Sequence, residues 1–171
     1  MVREGYVLIH PNRRSASAKA TRFIVALLLV ISAALLAIVT IGGWDKLQSA
    51  KVLQIAWVVL YLLFAFLVLR WNRGVLPLLC ALAIILLIFA AIAGPQWFSR
   101  DKPGFSDPTL DEGFLGLITL IIIPVQVLLI AFGARGFTQA WNVEEEVPVD
   151  QAQGYRPSGR GTEPAGGPAA A

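Results

Sequence analysis

Charged side chains disappear from four stretches of this chain. None of Asp, Glu, Lys or Arg falls within 23–44, 52–69, 74–99 or 113–134. Inside each stretch the apolar residues follow one another without the polar stripe, recurring every 3.6 residues, that a water-facing helix shows. A bilayer core about 30 Å thick is crossed by roughly 20 residues rising about 1.5 Å each, and each stretch has that length. Hydrocarbon offers no partner to a peptide N–H or C=O, so a lone apolar span pairs them internally as a helix. The pattern predicts an all-α, polytopic membrane protein with four antiparallel transmembrane helices, over about 23–43, 48–69, 75–94 and 113–134.

The residues between the stretches supply the punctuation. Residues 1–22 form a basic head, in which His10-Pro11-Asn12 reads as a turn and Ser15 or Ser17 as an N-cap leading into the first span. That span is apolar from Phe23 to Ile41 and stops at Gly42-Gly43-Trp44. A secretory signal has an apolar region of roughly 7–15 residues and a small-residue cleavage site; the longer run here reads as an uncleaved anchor. Arg70–Gly74 leaves room only for a tight hairpin. Pro77 sits in the first turn of the third span, where a missing N–H does little harm, and Gly94-Pro95 is expected to end that span. Residues 95–113 form the one long connecting loop, and Asp111 or Asp107 is placed to cap the fourth span and meet its dipole. A juxtamembrane segment, 135–146, precedes a tail over 147–171 whose Pro, Gly, Ala and polar content predicts disorder.

Composition sharpens this picture. Of 171 residues 57% are hydrophobic and 15% charged, against about 25% charged in soluble domains. So short a chain cannot wrap four all-round apolar helices in polar surface. Lys and Arg in short loops mark the cytoplasmic side. Arg3, Arg13, Arg14, Lys19, Arg22, Arg70, Arg73 and Arg135 lie on one side; Lys46, Lys51, Arg100 and Lys102 lie on the other. Both termini are therefore assigned to the cytoplasm. Trp44, Trp71, Trp97 and Trp141 each stand just beyond an apolar run, where an indole buries its ring and keeps its N–H wet. Trp57 lies inside the second span and is expected to pack on a neighbouring helix.

Candidate chemistry is sparse. Pro124 removes a hydrogen bond to Leu120 and should kink the fourth helix. Gln126, close by, carries a carboxamide that seeks a partner at mid-membrane. Ser32 of the first span and Tyr61 of the second lie at similar depth, so an interhelical polar contact is expected among Gln126, Ser32 and Tyr61. Arg13, Arg14, Lys19 and Arg22 suit anionic lipid headgroups, at about 1 kcal/mol per charge, better than nucleic acid, which wants more basic residues and stacking aromatics. The acidic residues Asp107, Asp111 and Glu112 lack the EF-hand spacing. With one cysteine and one histidine, no zinc or haem site is expected, and no cofactor. No phosphate-binding loop, dinucleotide fingerprint or H-E-x-x-H occurs, so no enzyme activity is expected. The spans hold no ionisable group of the kind that coupled carriers use.

In layout, in its Ala/Leu/Gly-rich spans and in its Pro/Gly/Ala tail, the chain resembles the small uncharacterised four-span membrane proteins of high-GC bacteria such as actinobacteria. The resemblance implies a bacterial plasma membrane and transfers no functional residue. The leading expectation is a non-enzymatic scaffold or accessory subunit, whose partners are the lipid bilayer and another membrane protein or a second copy. The alternative is a small transporter or channel using the kinked fourth helix. Reporter fusions test the orientation: one after residue 105 should read as external and one after residue 150 as cytoplasmic, and the reverse pattern overturns the charge assignment.

Overall fold

A computed structural model describes residues 5–47, 50–99 and 108–152. The expected cap Asp107 and the tail from 153 on lie outside the described residues. The elements in chain order are β1 (Tyr6–Ile9), α1 (Pro11–Arg14), α2 (Ala16–Gly42), α3 (Ala50–Leu69), α4 (Val75–Phe98), α5 (Glu112–Thr138), β2 (Glu145–Pro148) and α6 (Val149–Ala152). The four long helices have 20–27 residues each and are long and apolar enough to span a bilayer. The chain is a multi-pass membrane protein with these helices packed antiparallel.

Local signals set the helix ends. Ser15 Oγ accepts from the Ala18 N–H at 3.1 Å and opens α2, while Asp111 Oδ1 accepts from the Phe114 N–H at 2.9 Å and opens α5. Each satisfies one of the four N–H groups that a helix start leaves unpaired. The end of α3 is less ordinary. The Asn72 N–H reaches Leu67 O at 3.1 Å and the Trp71 N–H reaches Val68 O at 2.9 Å, the paired bonds of a Schellman cap. That cap needs a left-handed residue, usually glycine, and here it is Trp71 at φ 63°. A side chain there costs on the order of 1–3 kcal/mol. Packing offsets this: the Trp71 ring meets Trp141 edge-on with centroids 5.4 Å apart, and the Arg22 guanidinium lies 4.2 Å from its centre.

In the bundle α2 packs on α3 and α5, and α5 packs on α4, the closest pair, whereas α3 and α4 touch only sparsely. Small residues explain the close pair. A Cβ on Gly94 of α4 would stand 2.6 Å from Leu120 Cδ2, and one on Gly133 of α5 would stand 2.7 Å from Cys80 Sγ. Backbones that approach this closely gain dispersion contact, the main attraction between helices when the surrounding solvent is itself apolar. Ala33 and Ala90 are buried in the same core, with Leu29, Leu79 and Leu129. Outward-facing residues such as Phe23, Val59, Phe66 and Ile92 are large and apolar, and more than half exposed.

Four expectations are corrected. Gly94-Pro95 does not end the third span; α4 runs through Pro95 to Phe98, because a proline near a helix end forfeits a single bond while Trp97 packs inward. Trp97 and Trp141 pack inside the protein, at 2% and 0% exposure, and the Trp141 indole N–H donates to Gln139 Oε1 at 3.0 Å. The turn at His10-Pro11-Asn12 is a short helix with Pro11 in its first turn. The start of the tail is structured: β2 pairs antiparallel with β1, Tyr6 facing Pro148 and Ile9 facing Glu145, and α6 follows. The expected kink leaves α5 unbroken as a helix through Pro124.

Gly94→Val tests the close packing. Overfilling a tight core costs roughly 1–3 kcal/mol, so the variant should melt at lower temperature in detergent. Ala91→Val, on the exposed face of α4, should leave the melting temperature unchanged.

Candidate functional site

Three polar side chains meet in the middle of the bundle, each from a different helix and each fully buried. The Tyr61 hydroxyl of α3 donates to Gln126 Oε1 of α5 at 2.9 Å. Gln126 Nε2 donates to Ser32 Oγ of α2 at 2.9 Å, and the Ser32 hydroxyl donates to Leu28 O at 2.8 Å. The structure therefore brings together all three residues that depth alone had grouped. The chain runs in one direction, from the phenol through the amide and the serine to a backbone carbonyl, so each hydroxyl hydrogen is used once. It fixes the rotation of three helices about their axes; α4 takes no part in it. Pro124 lies two residues before Gln126 on α5.

A cavity of about 440 Å³ lies nearer the far end of the bundle, away from the termini. Its cause is topological. The short connection after Leu69 joins α3 to α4 at the end nearer the termini, the two helices touch only sparsely, and the cavity lies between them toward the other end. Trp57 and Phe89, edge-on with centroids 6.1 Å apart, bridge the two helices at its deep end. Leu36, Leu53, Leu86 and Ile122 add apolar wall, and polar groups come chiefly from the shallow end: Lys46, Gln54 and Gln96. Lys46 forms a partly buried ion pair with Glu112, which is itself in the first turn of α5, where the helix dipole favours a carboxylate. Gln54 Oε1 lies 2.7 Å from Thr40 Oγ1. The Trp57 indole nitrogen is buried one turn before Tyr61 on α3. Gln126 is not part of the cavity lining.

The basic residues on the termini face turn mostly toward the protein. Arg13 Nε donates to Trp141 O at 2.9 Å, and its Nη2 to Asn142 Oδ1 at 3.0 Å. Arg22 Nη1 donates to Leu69 O at 3.2 Å and Arg73 Nε to Phe137 O at 2.8 Å. Leu69 and Phe137 lie in the last turns of α3 and α5, whose carbonyls lack intrahelical donors and carry the negative end of the dipole. Arg14 Nη1 reaches Ala152 O at 3.3 Å on the exposed surface, and Lys19 is exposed. Of the four residues assigned to lipid headgroups, Arg13 and Arg22 are thus engaged with the protein, and Lys19 is the most open to a phosphate.

Sequence reasoning missed the cavity and the pairing of β1 with β2. The Tyr6–Ile9 run carried a weak strand signal, but its partner lies nearly the whole chain away. Among the described residues no group of three or more His, Cys, Asp or Glu side chains converges on a metal position. Comparison with protein families, with curated proteins and with solved structures finds no match for this chain.

Gln126→Leu removes the acceptor for Tyr61 and the donor to Ser32 together. Interhelical hydrogen bonds in membranes are worth about 0.6 kcal/mol on average and about 1.7 at most, so two lost bonds should destabilise by about 1–3 kcal/mol. Tyr61→Phe should cost less, because Gln126 keeps Ser32. Thermal unfolding of the two variants in one detergent checks the order.

Proposed function

We propose that this protein is a non-enzymatic scaffold or accessory subunit of a bacterial plasma membrane, with both termini in the cytoplasm. Its partners in this reading are lipid and another membrane protein or a second copy. The observation that carries it is the closed hydrogen-bond chain Tyr61–Gln126–Ser32–Leu28. The polar atoms at mid-membrane are spent on holding α2, α3 and α5 to one another, which suits a rigid body presenting its outer faces. Crosslinking in native membranes at native expression tests this. A reproducible species larger than the monomer is expected, retained in mild detergent; a chain that stays monomeric and alone under both conditions overturns the reading.

The cavity favours a second reading, a small transporter. A solute path would have to continue from the deep end of the cavity past Gln126. On that reading Gln126→Leu abolishes solute flux in proteoliposomes, whereas on the scaffold reading it changes stability alone.

A further inference from the structure

We infer that the cavity between α3 and α4 is a binding site for one hydrocarbon chain of a membrane amphiphile, with the oxygen-bearing head of that molecule at the Lys46–Gln54–Gln96 end. This goes beyond the scaffold reading and does not depend on it.

Four observations converge. The volume of about 440 Å³ falls within the roughly 300–1,000 Å³ of small-molecule sites. The wall is segregated: hydrocarbon and aromatic surface at depth, amide and ammonium groups at the shallow end. A water needs about two to four polar partners to be held, and the deep wall of Leu36, Trp57, Leu86, Phe89 and Ile122 does not supply them. The seam also borders lipid, since Leu53, Phe89 and Ile92 line the cavity and are 46%, 44% and 58% exposed on the bundle's flank. In a bilayer the molecules adjoining such a seam are chains lying parallel to the helices.

The shallow end selects for an acceptor. The Lys46 ammonium has three N–H donors, and Glu112 shares them. The Gln54 carbonyl is occupied by Thr40, so its amide N–H groups are what it offers. An ester carbonyl or a carboxylate accepts from both. The shared chemistry is a flexible hydrocarbon chain ending in acceptor oxygens, which either a phospholipid or a free fatty acid supplies.

Photolabelling distinguishes these. The full chain is reconstituted in vesicles carrying either phosphatidylcholine or a free fatty acid with a diazirine in the acyl chain, and labelled residues are mapped by mass spectrometry. Ile38 and Ile121, exposed on α2 and α5 in the same half of the bundle, report ordinary contact with bulk lipid. Leu53, Trp57 and Phe89 should label severalfold more than these two. Ala93→Phe, which fills the cavity from α4, should bring them down to the level of Ile38 and Ile121 while leaving that level unchanged, which also reports an intact bundle. Should Ala93→Phe disturb folding, Leu53→Phe fills the same space from α3. Labelling from the phosphatidylcholine arm identifies a phospholipid chain, and labelling from the fatty-acid arm alone identifies a free carboxylate beside Lys46. Equal labelling of cavity and reporter residues in both arms, or cavity labelling that survives both filled variants, overturns the inference.

Discussion

Hydrocarbon does not hydrogen-bond, and the architecture follows from that constraint. Each long helix pairs its own peptide groups, so what remains is the small set of polar side chains that the spans carry. Ser32 bonds back to a carbonyl one turn earlier in α2, Thr119 does the same in α5, and the Thr40 hydroxyl spends its one hydrogen on Gln54 of α3. Gln126 cannot be satisfied that way, because its amide carries both donors and an acceptor and reaches past its own helix. It draws a phenol from α3 and a hydroxyl from α2. One side chain thereby links three of the four helices.

The helix it leaves out is held differently. α4 is attached to α5 by shape, through Gly94 against Leu120 and Gly133 against Cys80, and its Phe89 meets Trp57 of α3 edge-on. Directional bonds on three sides and close packing on the fourth give a bundle with one loose seam. The cavity lies along that seam. Its shallow end is kept in place by Gly42 and Gly43, which let Leu110, Leu115 and Trp97 close over the turn, and by the Lys46–Glu112 pair.

The parts of this fold that were legible in sequence are those governed by a local or one-dimensional rule. Span length and charge exclusion located α2 to α5, short polar side chains before the spans narrowed each of two caps to a pair that included Ser15 and Asp111, and position along a span located the depth of Ser32, Tyr61 and Gln126. What was not legible depends on long-range placement. An aromatic beyond an apolar run satisfies the interfacial rule whether it faces lipid or protein; Trp97 and Trp141 face protein because neighbouring helix ends and the chain termini fold over them. Whether α3 and α4 pack tightly or part depends on which helices compete for α5, and hydrophobicity alone carries no such information. Arg13 and Arg22 show the same limit: their charge fits a headgroup, but unpaired carbonyls at Trp141 and Leu69 are within reach.

The pairing of β1 with β2 has a consequence for biogenesis. A chain emerges from the ribosome with its amino end first, so Tyr6–Ile9 is available long before Glu145–Pro148 has been made. The earlier segment must wait, its edge unmatched, while all four helices enter the bilayer. Only a molecule whose two ends finish on one side can then zip them together, as a polytope with an even number of crossings does. The ribbon therefore registers an even number of crossings: a copy that skipped a single one would leave its two strands on opposite sides of the lipid.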